Sequence, residues 1–365
     1  MPVIIHSDKV QSSNKPSVPA PKPKPPFELF PTKLTMKDGR GIWVSVPLPD
    51  RLSLVITIAP DLFGDSAKEN TSIADWVKGV GNYLLQEPFN TQHAASQYFP
   101  NKQWFRHVTL SMGKRGSNVR FQFEEKTSKI AAQFRLECNP RKLGKKGFAT
   151  LISILSDPKG PFKFETFIKH ARVTRIDVAV DLIGVQVAEL LVSHKKQGMR
   201  SYYVGKDGVL ETLYVHRGKT KAKPSGNVAL MAYDRRRERV SKGKAAPFGL
   251  ADVTRIEITK LPKKPHNDLQ NIVNFTDPFA EIAVGYAAEQ IASNSSVWRQ
   301  YIGLRRSQPK EEVVNLLSLS PDTAKYFAST YEVPQANLVA PKINWEGWRH
   351  GLNKTGLSLM LKALK

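Results

Sequence analysis

Two segments of the chain carry nearly the same phrase, Val173-Thr174-Arg175-Ile176-Asp177-Val178 and Val253-Thr254-Arg255-Ile256-Glu257-Ile258. Polar and apolar residues alternate in each with a period of two, the pattern of a half-buried β-strand with Arg and a carboxylate on one face and Ile on the other. Matched strands of this kind can set two carboxylates side by side. A third strand-like run, Asn227 to Tyr233, lies between them in sequence and ends in Tyr233-Asp234-Arg235-Arg236-Arg237-Glu238. Carboxylates, a tyrosine and a basic cluster on one sheet are the parts needed for metal-assisted chemistry on a phosphodiester.

Within Arg175 to Asp181, the residues Arg175, Asp177, Ala179 and Asp181 share a face. Asp177 and Asp181 are then separated by roughly 13 Å along the strand, too far to ligate one ion, whereas a neighbouring strand is only ~4.8 Å away. Asp177 and Glu257 are therefore the expected metal pair, with Asp181 a third candidate. Oxygen-only ligands favour Mg²⁺ or Mn²⁺. The competing reading is a cross-strand ion ladder of Arg175, Asp177, Arg255 and Glu257 without metal, worth ~0.2–1 kcal/mol per pair. Tyr233 is the expected nucleophile, with Arg235 and Arg236 neutralising charge at the phosphate, because a phenol of pKa ~10 needs such neighbours to attack at neutral pH. Tyr214, in Glu211-Thr212-Leu213-Tyr214-Val215-His216-Arg217-Gly218-Lys219, is the rival. Asp181 and Glu238 are second choices for orienting or proton-transfer roles.

The elements that must position these residues follow from periodicity. Strands are expected over 42–46 and 52–58, a helix over 73–85, a meander over 108–112, 119–123 and 132–136, and a helix over 148–155. A second unit repeats this rhythm: strand 173–182, helix 187–194, then strands 201–204, 210–215, 227–233 and 253–259. The fold class is α+β, antiparallel sheets with helices on one face in a duplicated arrangement, followed by a helical C-terminal region with helices over 278–291, 311–317, 321–331 and 345–364. The divisions are a basic Pro-rich arm (1–30), an N-terminal α+β unit (31–160), a catalytic α+β unit (161–265) and the helical region (266–365). Trp298, Trp345 and Trp348 stand near Arg299, Arg305, Arg306 and Arg349; at helical spacing they read as core, the other reading being a stacking surface for bases.

The chain has 365 residues, and 55 Lys plus Arg against 32 Asp plus Glu give a net charge of +23. That excess favours a polyanionic partner, because phosphate contacts release counterions. A single cysteine, Cys138, excludes an intrachain disulfide and a Cys-based zinc site and reads as a small core residue. No apolar run reaches the roughly 20 residues of a membrane span, and no signal-peptide pattern opens the chain, so a cytoplasmic location is expected. Basic stretches at 141–146, 217–223 and 260–264 are expected to track a DNA backbone.

At these residues the chain resembles the replication initiators of rolling-circle plasmids and filamentous phages, a group that includes related conjugative relaxases. Arg175-Ile176-Asp177-Val178-Ala179-Val180-Asp181 is similar to the group's R-[IL]-D-x-A-x-D strand. Thr212-Leu213-Tyr214 and Tyr233-Asp234-Arg235-Arg236-Arg237-Glu238 resemble T-x-Y-x-G and Y-D-K-x-x-E, Thr254-Arg255-Ile256-Glu257 resembles the closing R-x-E strand, and Arg135 to Leu143 resembles an upstream N-P-x-K-L segment. The resemblance covers residues 108–260. Val215-His216-Arg217 departs from the Y-x-G turn and Arg235 stands for a lysine, which keeps both Tyr214 and Tyr233 open as nucleophiles. The resemblance implies a nickase of a bacterial host that cuts single-stranded or extruded replication-origin DNA, leaving a 5′-phosphotyrosine and a 3′-hydroxyl for a host polymerase. It implies a fold related to the HUH endonucleases with acidic metal ligands; no His-x-His pair is present. Gly218-Lys219-Thr220 lacks the first glycine of a nucleotide-binding loop, Leu213 standing there, so unwinding would fall to a host helicase. The competing function is a non-catalytic nucleic-acid-binding protein using the same basic sheet as a platform.

Overall fold

The structure is a computed structural model that describes residues 29–30, 32–35, 41–63, 71–85, 106–112, 118–124, 131–187, 190–194, 197–205, 210–217, 228–249, 251–263, 268–286, 296–305, 308–325, 343 and 345–362. The Pro-rich arm lies outside the described residues except for its last two. The strands are β1 (Thr32–Thr35), β2 (Gly41–Val44), β3 (Leu48–Thr57), β4 (Arg106–Ser111), β5 (Asn118–Glu124), β6 (Gln133–Cys138), β7 (Arg172–Ile183), β8 (Leu190–His194), β9 (Gln197–Val204), β10 (Leu210–Arg217), β11 (Val228–Asp234), β12 (Val253–Lys260) and β13 (Ile282–Tyr286). The helices used below are α1 (Ile73–Leu85), α2 (Pro140–Leu155), α3 (Phe164–His170), α4 (Arg235–Ser241), α5 (Ser296–Arg305), α6 (Lys310–Leu316), α7 (Trp348–Thr355) and α8 (Leu357–Lys362).

Eleven strands form one antiparallel sheet in the order β4-β5-β6-β3-β7-β12-β11-β10-β9, with β2 also beside β7 and β1 beside β2. The fold is α+β, and the two expected units share this continuous sheet. Outward from the centre run β3, β6, β5, β4 on one side and β7, β12, β11, β10 on the other, so in each half the first strand pairs with the last.

The period-two pattern of the strands explains why one face is apolar. Leu52, Leu54 and Ile56 of β3, Phe134 and Leu136 of β6, Ile176, Val178 and Val180 of β7, and Ile256 and Ile258 of β12 are all buried in one hydrophobic cluster. That cluster extends from Val108 and Leu110 on β4 to Leu213 and Val215 on β10 and is closed by side chains of α1, α2, α3, α7 and α8. Cys138 lies within it, and burial pushes its thiol up to about 12. The opposite face carries the charged residues.

The C-terminal helices are locked onto this layer by close backbone approach. A Cβ on Gly351 would lie 2.0 Å from the Pro47 carbonyl oxygen, and Gly356, at φ +81°, ends α7 where a Cβ would lie 2.5 Å from the Lys145 Cα. Trp345 and Trp348 stack at 4.9 Å and donate their indole N–H groups to the carbonyls of Phe275 (3.1 Å) and Ile272 (2.8 Å). They are core residues, not a base-stacking surface; the side chain of Trp298 lies outside the described residues.

Two expected helices are replaced by strands. The run over 187–194 contains β8, and the run over 278–291 contains a 3-10 turn, Pro278–Glu281, followed by β13. β8 and β13 pair with each other, Val192 opposite Val284. Short apolar runs fit either period, and here each supplies the other's backbone partners. Residues 321–325 are helical, and the rest of the helix expected to 331 lies outside the described residues. Among the described residues no helix is long and apolar enough to cross a membrane.

Candidate active site on the polar face of the sheet

The sheet register sets the candidate residues in rows. Glu257 on β12 stands opposite Ala179 on β7 and Met231 on β11, and Met231 stands opposite Tyr214 on β10. In the next row Arg255 faces Asp181 on one side and Tyr233 on the other, and Tyr233 faces Thr212. Asp177 is opposite Thr259 on β12 and Arg51 on β3. Glu257 is thus diagonal to both Asp177 and Asp181, and β12 brings the second copy of the repeated phrase directly beside the first.

An ion ladder occupies much of this face. Arg175 donates to both oxygens of the buried Asp177, Nε to Oδ1 at 2.9 Å and Nη2 to Oδ2 at 2.8 Å. Arg255, 1% exposed, donates to both oxygens of Asp181 at 2.6 and 2.9 Å and through Nη1 to Asp50 at 3.1 Å. Arg141, at the start of α2, reaches Asp181 Oδ2 at 3.2 Å. Burial, with the nearby charge of Asp50, pushes the Asp181 carboxyl up, and the guanidiniums of Arg141 and Arg235 oppose it. Arg141, the first residue of the basic stretch 141–146, is thus one-third exposed and paired with Asp181.

Glu257 differs from its neighbours. Desolvation, reinforced by the nearby carboxylates of Asp50 and Asp177, pushes it up to about 8 against the pull of Arg175 and Arg235. It lines a cleft of about 390 Å³ together with Asp50, Asp177, Arg51, Arg120 and Glu137. The carboxylates of Asp50, Asp177 and Glu257 match Mg²⁺ or Mn²⁺ by charge and ligand type, but Arg175 holds both oxygens of Asp177 and Arg255 holds Asp50 Oδ1, so they do not form a ready cation site. Asp181 is committed in the same way as Asp177, both its oxygens to Arg255. Among the described residues no three His, Cys, Asp or Glu side chains converge on a common point.

Met231 also lines a second cleft, of about 560 Å³, with Tyr203, Thr212, Tyr214, Tyr233, Glu211, Arg237, Glu238 and Lys242. Both candidate tyrosines border it. Tyr233 is 8% exposed, and burial drives its phenol well above the ordinary value even with Arg235 beside it, Nη1 to Oη at 3.5 Å. Tyr214 is half-buried, one strand nearer the sheet edge. Asp234 caps α4, accepting from the Arg237 N–H at 2.9 Å, and that helix start carries the basic cluster across the cleft. Arg235 pairs with Glu238. Arg236 lines neither cleft, and its Nε is buried without a hydrogen-bond partner among the described residues.

Sequence reasoning missed Asp50 and Arg51, hidden in what read as a Pro-rich turn, and the inward role of Arg141. It missed Lys242 as a cation that lines the tyrosine cleft; Arg237, part of the basic cluster that follows Tyr233 in sequence, lines it too. The basic stretch 217–223 lies outside the described residues beyond Arg217. In sequence comparison, no protein-family model and no curated protein matches the chain.

Proposed function

We propose that the chain is a nickase of the rolling-circle initiator kind, cutting single-stranded or extruded origin DNA by attack of a tyrosine on the polar face of the sheet. The observation that carries this reading is the pair of clefts sharing Met231: one with Asp50, Asp177 and Glu257 among arginines, the other with three tyrosines and with Arg237 and Lys242, which pair with Glu211 and Glu238. Tyr214 is the better attacking group. Desolvation raises the cost of ionising Tyr233, while Tyr214 is half-buried at the same cleft.

In the reaction the Tyr214 phenol loses its proton to solvent in the cleft, its oxygen bonds to phosphorus, and the P–O3′ bond breaks. The 3′-oxygen takes up a proton, leaving a 5′-phosphotyrosine. Arg237 and Lys242 offset charge at the phosphate, and Arg235 holds Tyr233 and Glu238 in place. Mg²⁺ or Mn²⁺ held by Glu257, and by Asp177 once it parts from Arg175, would polarise the phosphate and stabilise the departing oxygen. The Arg255–Asp181 pair fixes the register on which these side chains depend. Host polymerase and helicase would act on the nicked product in the cytoplasm of a bacterial host.

Incubation with supercoiled cognate replicon and Mg²⁺ tests this: a covalent protein–DNA adduct resistant to denaturant is expected. Tight binding with no adduct under any metal would instead select the non-catalytic nucleic-acid-binding reading.

A further inference from the structure

The two halves of the sheet correspond position by position. The last strand of each half carries Arg-x-Glu: Arg135-Leu136-Glu137 on β6 and Arg255-Ile256-Glu257 on β12. Glu137 stands opposite Ser53 on β3, and Glu257 opposite Ala179 on β7. Two residues before those partners lie Arg51 and Asp177, which face each other across the central β3–β7 pair. Arg51 and Glu137 are therefore the counterparts of Asp177 and Glu257, related by an approximate two-fold axis through that pair.

The chemistry of the two copies is opposite. Where the C-terminal copy gathers carboxylates, the N-terminal copy joins Arg51 to Glu137 at 2.7 Å and Arg135 to the same Glu137 at 3.0 Å. Arg120 on β5, also opposite Glu137, is exposed, and Arg175 borders the group from β7. Burial lowers the Arg135 pKa; Glu137 opposes that, but the guanidiniums of Arg51, Arg175 and Arg120 lower it further. Two guanidiniums thus bind Glu137, Arg120 stands opposite it on β5, and Arg175 binds Asp177 beside them. Thr109, Asn118 and Asn139 line the same cleft.

We propose that this N-terminal copy is a non-cutting phosphate-binding surface, in which Arg51, Arg120, Arg135 and Arg175 hold the backbone of single-stranded DNA running toward the tyrosine cleft. Arg120 stands exposed at its rim, its acidic centre is replaced by an arginine ion pair, and Met231 lines both this cleft and the tyrosine cleft, so the two adjoin. The choice of DNA rests on the proposed function; the anion chemistry does not.

The test is an anisotropy titration of the full chain against fluorescein-labelled oligothymidylate across a salt series from about 50 to about 200 mM. Arg120 is exposed, so Arg120→Ala leaves the core intact. Arg120→Ala is expected to weaken binding roughly tenfold, as loss of a charged hydrogen bond does. The log–log salt slope should fall by about 0.7, the value for one single-strand phosphate contact, and Arg120→Lys should restore the slope. Unchanged affinity and slope in Arg120→Ala and in the Arg51→Ala/Arg120→Ala double variant would overturn the proposal, as would a larger effect on a duplex probe than on the single strand. Because the readout is binding, a chain that shows this Arg120 dependence yet never forms a covalent adduct keeps the surface and loses the nicking reading alone.

Discussion

Arg255 and Asp181 form a two-pronged ion pair across β12 and β7, with nitrogen–oxygen distances of 2.6 and 2.9 Å, in a position where the guanidinium is only 1% exposed. The pair ties together the strands that carry Asp177 and Glu257, and Arg255 adds Asp50 from β3. Removing one member leaves the other charged and buried. Arg255→Ala is expected to destabilise the chain by ~3–5 kcal/mol, read as a shift in the urea unfolding midpoint. A loss under ~1 kcal/mol would show that the pair does not hold the register.

Glu257 makes stability depend on pH. Its carboxyl, ordinarily at 4.5, is pushed up to about 8 in the folded chain. Between these values the folded chain holds a proton that the unfolded chain has released, so stability is greatest below about 4.5, falls as pH rises to about 8, and is level above. The fall attributable to this group is at most about 5 kcal/mol. Glu257→Gln should flatten the profile across that window, measured as the thermal midpoint against pH.

A divalent cation requires the ionised carboxylates and should therefore oppose that fall. At pH 8, millimolar Mn²⁺ is expected to raise the thermal midpoint of the wild-type chain and to do so much less in Asp177→Asn or Glu257→Gln. Equal shifts in all three proteins would move the cation elsewhere.

The two tyrosines separate cleanly. Tyr214→Phe removes one oxygen from a half-buried side chain and should abolish the covalent adduct while leaving origin binding intact. Tyr233→Phe should reduce adduct formation without abolishing it, since Arg235 loses its phenol contact. The reverse pattern, scored on denaturing gels, would assign the attack to Tyr233.

Gly351→Ala forces a methyl group to within 2.0 Å of the Pro47 carbonyl oxygen. Backbone cannot yield as a flexible side chain does, so α7 must shift, at a cost of ~1–3 kcal/mol or more. Loss of near-ultraviolet dichroism from the stacked Trp345 and Trp348 would report it; a wild-type signal and midpoint would contradict the close approach.

Much of this architecture is legible in the sequence because period-two alternation survives wherever one sheet face is wet. The helix over 73–85 and the strands over 173–182 and 253–259 fall within a residue or two of α1, β7 and β12. In short apolar runs such as those around Val192 and Val284 the period carries no decision, and the pairing partner decides. Asp177 and Glu257 were readable as neighbours because their strands repeat one phrase. Asp50 and Arg141 were not, since nothing local to Pro49-Asp50-Arg51 or to the start of α2 reveals that both converge on the Arg255–Asp181 pair from far along the chain. The Arg51–Glu137 counterpart of the acidic pair was equally hidden: it emerges only once β3 and β7 are known to lie at the centre.

That central pairing bears on how the chain can be divided. A cut after residue 160 falls outside every strand, yet it parts β3 from β7, and each fragment would then present a long strand edge with unpaired amides and carbonyls. Neither piece is expected to behave well alone. Expressed together, they should find each other and rebuild the sheet, which would make the chain suited to split-protein complementation, with reassembly itself as the signal.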